Sequence, residues 1–166
     1  MATIGCLIIA ACRAAGAIEV VGSDVSDRCR DIAAEMGADS SFSPIEGAPE
    51  LYSQAKGYFD VSFEASGAIQ AFHSCIDFTR AKGSLVLVGM RPGMVDFPLT
   101  KCLAKEINMS GSFRFTSEFK TAVKWLEAGK VKPLPLLTKV FPYQDIVEAL
   151  KLAEDKNSAM KVQLSF

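Results

Sequence analysis

The chain has 166 residues, 49% hydrophobic and 22% charged, an ordinary globular composition that excludes a disordered tail or a collagen-like repeat. Eighteen Lys and Arg against nineteen Asp and Glu give a net charge of −1, so no basic excess exists to neutralise a phosphate backbone and no nucleic acid is expected as a partner. A chain of this length fits one domain or slightly more, and can bury roughly 70% of the surface its unfolded form exposes.

Residues 5–15 are small and apolar almost all round, as in a helix buried against a sheet, and Gly16 ends it. The apolar run 4–12 is too short to span a bilayer, and the first basic residue is Arg13, so it carries no Lys/Arg segment of a signal peptide. No membrane association is expected, and the chain reads as soluble and cytoplasmic. The five cysteines agree: Cys6, Cys12, Cys29, Cys75 and Cys102 are odd in number, form no C-x-x-C pair and read as buried thiols.

Residues 18–23 form a short β-branched strand, Ser26 is an N-cap, and 27–36 a helix closed by Gly37. A weak strand at Phe42 and a short helix over 49–55 follow. A strand over 59–64 leads to Ser66-Gly67, and a helix over 68–79 is closed by Gly83. Residues 85–88 are a continuous apolar strand ending at Gly89, which suits a parallel sheet covered by helices on both faces. A helix over 99–105 and a strand over 107–113 complete an α/β doubly wound pattern. Beyond Phe115 come an amphipathic helix over 118–128, a linker with two prolines, a strand over 136–141, a helix over 142–154 and a closing strand over 160–165.

Asp24 closes the first complete strand, 19 residues after Gly5. In dinucleotide-binding folds an acid about 20 residues past the glycine loop accepts hydrogen bonds from the adenosine ribose. Alternatively Asp24 caps the next helix, a task Ser26 can perform itself. The glycine loop is incomplete: with Gly5 as its third glycine, Ala2 occupies the second position and the first falls before Met1. The strand preceding the loop is missing too, which leaves the strands at 18–23 and 59–64 facing a gap and predicts association in solution.

Ser66-Gly67 and Gly89-Met90 lie at strand ends, where glycine lets a cofactor approach the backbone or simply terminates a strand. Arg114, between Phe113 and Phe115, could hold an anionic or amide group, or be a solvated rim residue. His73, the sole histidine, lies within a helix, and no Cys/His/Glu cluster supplies a catalytic zinc site. The pattern yields a cofactor site and no catalytic or metal-ligating residue.

Seven segments stand in order: Thr3-Ile4-Gly5, Asp24-Val25-Ser26, Met36-Gly37-Ala38-Asp39, Phe63-Glu64-Ala65-Ser66-Gly67, Val88-Gly89-Met90, Gly111-Ser112-Phe113-Arg114-Phe115 and Met160-Lys161-Val162-Gln163-Leu164. Together they resemble the C-terminal half of the zinc-dependent medium-chain dehydrogenases, in particular the polyol branch with its sorbitol, xylitol and L-idonate dehydrogenases. The resemblance covers essentially the whole chain. It implies a Rossmann-like doubly wound parallel sheet lacking its first strand over residues 1–115, and over 116–166 the segment returning to a GroES-like catalytic domain.

The resemblance also implies roles. Gly5 belongs to the phosphate loop, Asp24 binds the adenosine ribose and Arg28 lies over the adenine. Ser66 and Gly67 line the cofactor groove, Val88, Gly89 and Met90 flank the nicotinamide, and Phe113 and Arg114 reach the nicotinamide or substrate edge. The expected function is the NAD-binding half of an alcohol, polyol or sugar-acid dehydrogenase. Zinc is expected only in the full-length family, whose ligands precede this segment, so the isolated chain is expected to be inactive. The partners would be a small-molecule polyol or sugar acid and further copies in a homo-oligomer. The rivals are a non-catalytic nucleotide-binding module and a Rossmann-like methyltransferase.

Overall fold

The computed structural model describes residues 2–155 and 158–166. The elements run α1 (Ala2–Ala14), β1 (Val21–Ser23), α2 (Asp27–Glu35), β2 (Ser40–Phe42), β3 (Phe59–Glu64), α3 (Ile69–Phe78), β4 (Thr79–Leu87), α4 (Leu99–Lys105), β5 (Asn108–Gly111), α5 (Glu118–Glu127), β6 (Leu137–Pro142), α6 (Ile146–Glu154) and β7 (Lys161–Ser165). Every strand pairing is parallel, in three sheets ordered β1-β2, β3-β4-β5 and β6-β7. The expected α/β class with parallel sheets is observed. Two compact units form: one from the segment up to Glu46 together with the segment from Ser117 onward, the other from Gly47–Thr116.

The buried cluster of the first unit joins α1 to α2. Cys6, Ile9 and Ala10 of α1, spaced to share one face, meet Ile32 and Ala33 of α2 and Met36 at its end, with Val20 and Leu136 completing the cluster. Each large apolar side chain there contributes about 1.5–3 kcal/mol. Ser26 caps α2 as expected, its Oγ accepting the Cys29 N–H at 3.4 Å. Arg13 then fastens the turns: Nε donates to the Gly37 carbonyl at 2.6 Å, Nη1 to the Ala17 and Ile18 carbonyls, and Nη2 pairs with Asp39. This explains why β1 is shorter than the expected 18–23, since Arg13 takes the Ala17 and Ile18 carbonyls and β2 offers partners to only Val21, Gly22 and Ser23.

The second unit is the three-stranded sheet with α3 and α4 on one face. Phe72 and Ile76 of α3 and Cys102 of α4 pack on Leu85. The opposite face is not covered to the same degree: Val61 is 44% and Phe63 38% exposed.

Gly83 also differs from its expected role. Helix α3 ends at Phe78 and the chain enters β4 at once, the Thr79 N–H bonding the Cys75 carbonyl. Phe59 pairs with Thr79 but Val61 with Ser84, so β4 bulges between them. Gly83 sits in that bulge, where a Cβ would meet the Arg80 and Asp60 carbonyl oxygens at 2.9 Å. The expected helix over 49–55 is two 3₁₀ turns, Glu50–Tyr52 and Gln54–Lys56.

Candidate functional site

In the first unit, Asp24 follows β1 directly. Its amide donates to the Phe42 carbonyl at 3.3 Å, one step beyond the β1–β2 register. Its Oδ1 accepts the Ser26 N–H at 2.9 Å, an Asx turn that holds the carboxylate at the carboxyl end of the strand. The two readings of Asp24 thus separate: Ser26 caps α2, and Asp24 shapes the turn before it. Arg30 reaches back from α2, donating from Nη1 to the Asp24 carbonyl at 2.7 Å and pairing through Nη2 with Asp27. Arg28, also on α2, donates weakly to Thr138 Oγ1 at 3.5 Å, while its buried Nε finds no hydrogen-bond partner among the described residues. An unmet buried donor costs about 1–3 kcal/mol, so an acceptor arriving there would be favoured. Gly5 is buried in the first turns of α1, which begins at Ala2 rather than at Gly5.

The second unit holds the other candidates, organised by a residue the sequence did not single out. Glu64, the last residue of β3, is only 4% exposed. Its Oε1 accepts the Ser66 N–H at 2.7 Å, the Ser66 hydroxyl at 2.5 Å and the Gly67 N–H at 3.0 Å. Its backbone carbonyl accepts the Val88 and Gly89 N–H groups, both at 2.8 Å, joining the ends of β3 and β4. A Cβ on Gly89 would lie 2.3 Å from the Gly67 nitrogen and 2.5 Å from Glu64 Oε2. Gly67 has φ +74°, and a Cβ there would lie 2.5 Å from the Met90 carbonyl oxygen. Ser66, Gly67, Val88, Gly89 and Met90 are thereby drawn into one backbone-lined turn at the carboxyl ends of two neighbouring strands. The two glycines let these strand ends pack closely, at the edge of the sheet where ligands of open α/β folds bind. The available signal for Glu64 was an acid closing a strand two residues before Ser66.

Phe113 and Arg114 follow β5, anchored by the Ser112 N–H to the Leu87 carbonyl at 2.8 Å. The Arg114 guanidinium lies 5.1 Å from the centre of the Phe113 ring, which is largely exposed. His73 Nε2 contacts the Asp96 carbonyl oxygen at 2.9 Å. Burial and the neighbouring Glu64 push the Cys75 thiol up to about 12, and burial pushes Cys6 up to about 11, so neither is a nucleophile at neutral pH. An open cavity lined by Ser53, Lys56, Asp77, Lys101, Ala104 and Lys105 contains none of the candidates.

Among the described residues no three His, Cys, Asp or Glu side chains come together as a metal site. The residues present therefore do not fit a catalytic zinc. Within the second unit, the close approach of Gly67 and Gly89 leaves main chain at two strand ends, the kind of place where ligands of open α/β sheets bind.

The family described as zinc-binding dehydrogenase matches residues 3–128. The chain is 49% identical over 163 residues to the L-idonate 5-dehydrogenase (NAD(P)(+)) of Escherichia coli K12, covering 98% of this chain and 48% of that protein. It is 32% identical over 166 residues to the sorbitol dehydrogenase of Homo sapiens, covering 97% and 46%. The crystal structure of the E. coli L-idonate 5-dehydrogenase superposes with a TM-score of 0.94 at 48% identity over 99% of this chain and 48% of that one. The chain thus spans about half the length of the curated relatives it matches. With the family match over residues 3–128 and the parallel α/β architecture in hand, this chain belongs to the zinc-binding dehydrogenase family.

Proposed function

We propose that this chain is the NAD-binding half of an oxidoreductase that interconverts a secondary alcohol of a polyol or sugar acid and the corresponding ketone. The observation that carries the proposal is the Glu64-held turn, where the Ser66 and Gly67 amides are fixed by one carboxylate and Gly67 and Gly89 leave no room for a Cβ. Relatives named for L-idonate and sorbitol support the substrate class. In this proposal residues 1–115 are the NAD-binding domain and 116–166 the segment returning to a catalytic domain.

The roles follow from chemistry. Asp24 accepts hydrogen bonds from the adenosine ribose, and Arg28 lies against the adenine. Gly5 lets the helix start approach the pyrophosphate. Ser66 and Gly67 line the groove, Val88, Gly89 and Met90 orient the nicotinamide, and Phe113 with Arg114 forms its outer edge. The nicotinamide, when bound, supplies hydride acceptance at its ring. The residues of this chain bind and orient it and exclude water. Asp24 would oppose the charge of a 2′-phosphate, so NAD is preferred over NADP. The zinc that polarises the substrate oxygen would be held outside these residues, and the whole enzyme would be a cytoplasmic homo-oligomer.

Titration of the chain with NADH, followed by nicotinamide fluorescence, tests the cofactor reading; saturable binding is expected. Elemental analysis after dialysis is expected to find no stoichiometric zinc, and the chain alone is expected to reduce no NAD with L-idonate, sorbitol or xylitol. Binding of S-adenosylmethionine in place of NADH would overturn the reading in favour of a methyltransferase.

A further inference from the structure

We infer that Asp27 sets the discrimination between NAD and NADP by neutralising Arg30, which the fold holds beside Asp24; this rests on the proposal that Asp24 is the ribose-binding acid. Arg30 is the cation fixed at that strand end. Its Nη1 donates to the Asp24 carbonyl at 2.7 Å, and its side chain is only 17% exposed. A 2′-phosphate brought to Asp24 would therefore arrive near a guanidinium, the group best shaped to grip it. Asp27 removes that possibility. Its carboxylate pairs with Arg30 Nη2, occupying the second arm of the fork and cancelling its charge.

The geometry separates this role from a structural one. Asp27 is the first residue of α2 and its side chain is 87% exposed, so the pair lies in solvent on the Asp27 side and contributes little to stability. Arg30 stays tethered to the Asp24 carbonyl without Asp27, so removing the acid frees the outer arm without releasing the inner one. The remaining charged side chains of α2 are Arg28, Asp31 and Glu35, and Arg28 is directed to Thr138. The local balance of Asp24 and Asp27 against Arg30 thus passes from net negative to neutral when Asp27 is replaced by Asn.

The experiment measures NADH and NADPH dissociation constants by nicotinamide fluorescence for wild type, Asp27→Asn, Arg30→Gln and the double variant, with Asp27→Ser as a second replacement. The NADPH-to-NADH affinity ratio is expected to rise about five- to tenfold in Asp27→Asn and Asp27→Ser at low salt, and to show no such gain in the Arg30→Gln background. A ratio within twofold of wild type in both Asp27 variants, or an equal gain without Arg30, overturns the inference. Asp24→Asn distinguishes the two failures. If it relaxes discrimination while the Asp27 variants do not, only this inference fails. If none of the variants changes the ratio, the reading of Asp24 fails with it.

Discussion

Replacing Gly89 with Ala tests the organisation of the site most directly. The added Cβ would sit 2.3 Å from the Gly67 nitrogen, 2.8 Å from the Ser66 nitrogen and 2.5 Å from Glu64 Oε2. Two of the three are main chain in a turn whose amides are committed to Glu64, so relief requires moving the turn away from the carboxylate. Overpacking of this kind costs about 1–3 kcal/mol. Losing one charge-assisted hydrogen bond adds about 1.5–3 kcal/mol. The sum, about 2.5–6 kcal/mol, corresponds to a fall in Tm of roughly 5–24 °C for a chain of this size. Gly111→Ala is the control: its Cβ meets nothing within 4 Å, and its stability should stay within about 0.5 kcal/mol of wild type. Urea unfolding of both variants, with NADH titration below the transition, provides the measurement. A Gly89→Ala protein as stable as Gly111→Ala and binding NADH equally well would refute both the tight turn and its role in the site.

Glu64→Gln keeps the shape of the buried side chain but turns an NH₂ toward amide donors, and should lower stability by about 1.5–3 kcal/mol in urea unfolding and weaken NADH binding. Cys75, with its thiol pushed up to about 12, is thiolate to only about one part in ten thousand at pH 8, so iodoacetamide should label it only after denaturant is added, as read by peptide mass. The Val20 amide and then the Arg13 guanidinium hold the Asp39 carboxyl below its ordinary range. A depressed acid contributes stability above its unfolded pKa and loses it as pH falls through the folded value, so Asp39→Asn should flatten the acid limb of a Tm-against-pH profile below about pH 4. Arg13→Ala abandons the Gly37, Ala17 and Ile18 carbonyls and should cost about 2–3 kcal/mol by the same unfolding assay.

Elements whose cause is local were legible in the sequence. Ser26 as a cap, Gly37 as a helix stop and the 59–64 strand all follow from neighbouring residues. What escaped has its cause elsewhere in the chain. Gly83 looked like a helix stop because it follows one, yet it is dictated by a bulge against Asp60 on another strand. Glu64 looked like a polar strand end, and its burial depends on amides that only the folded turn aims at it. For the site, the sequence supplied candidate residues; the organising carboxylate and the Asp27–Arg30 pair required coordinates.

The division of the chain into two units has a consequence for its synthesis. The unit spanning Gly47–Thr116 is one uninterrupted stretch, so all its contacts are available as soon as that stretch has left the ribosome. The other unit is assembled from segments on either side of it, and its buried cluster joins Cys6, Ile9 and Ala10 to Leu136, while Thr3 Oγ1 donates to the Met160 carbonyl at 2.9 Å. At about 5–20 residues per second, the early helices wait roughly 6–24 s for the later segment to be made. During that interval the α1 face bearing Cys6 and Ile9 is incompletely covered, which makes the nascent chain, more than the finished one, the natural client of a chaperone.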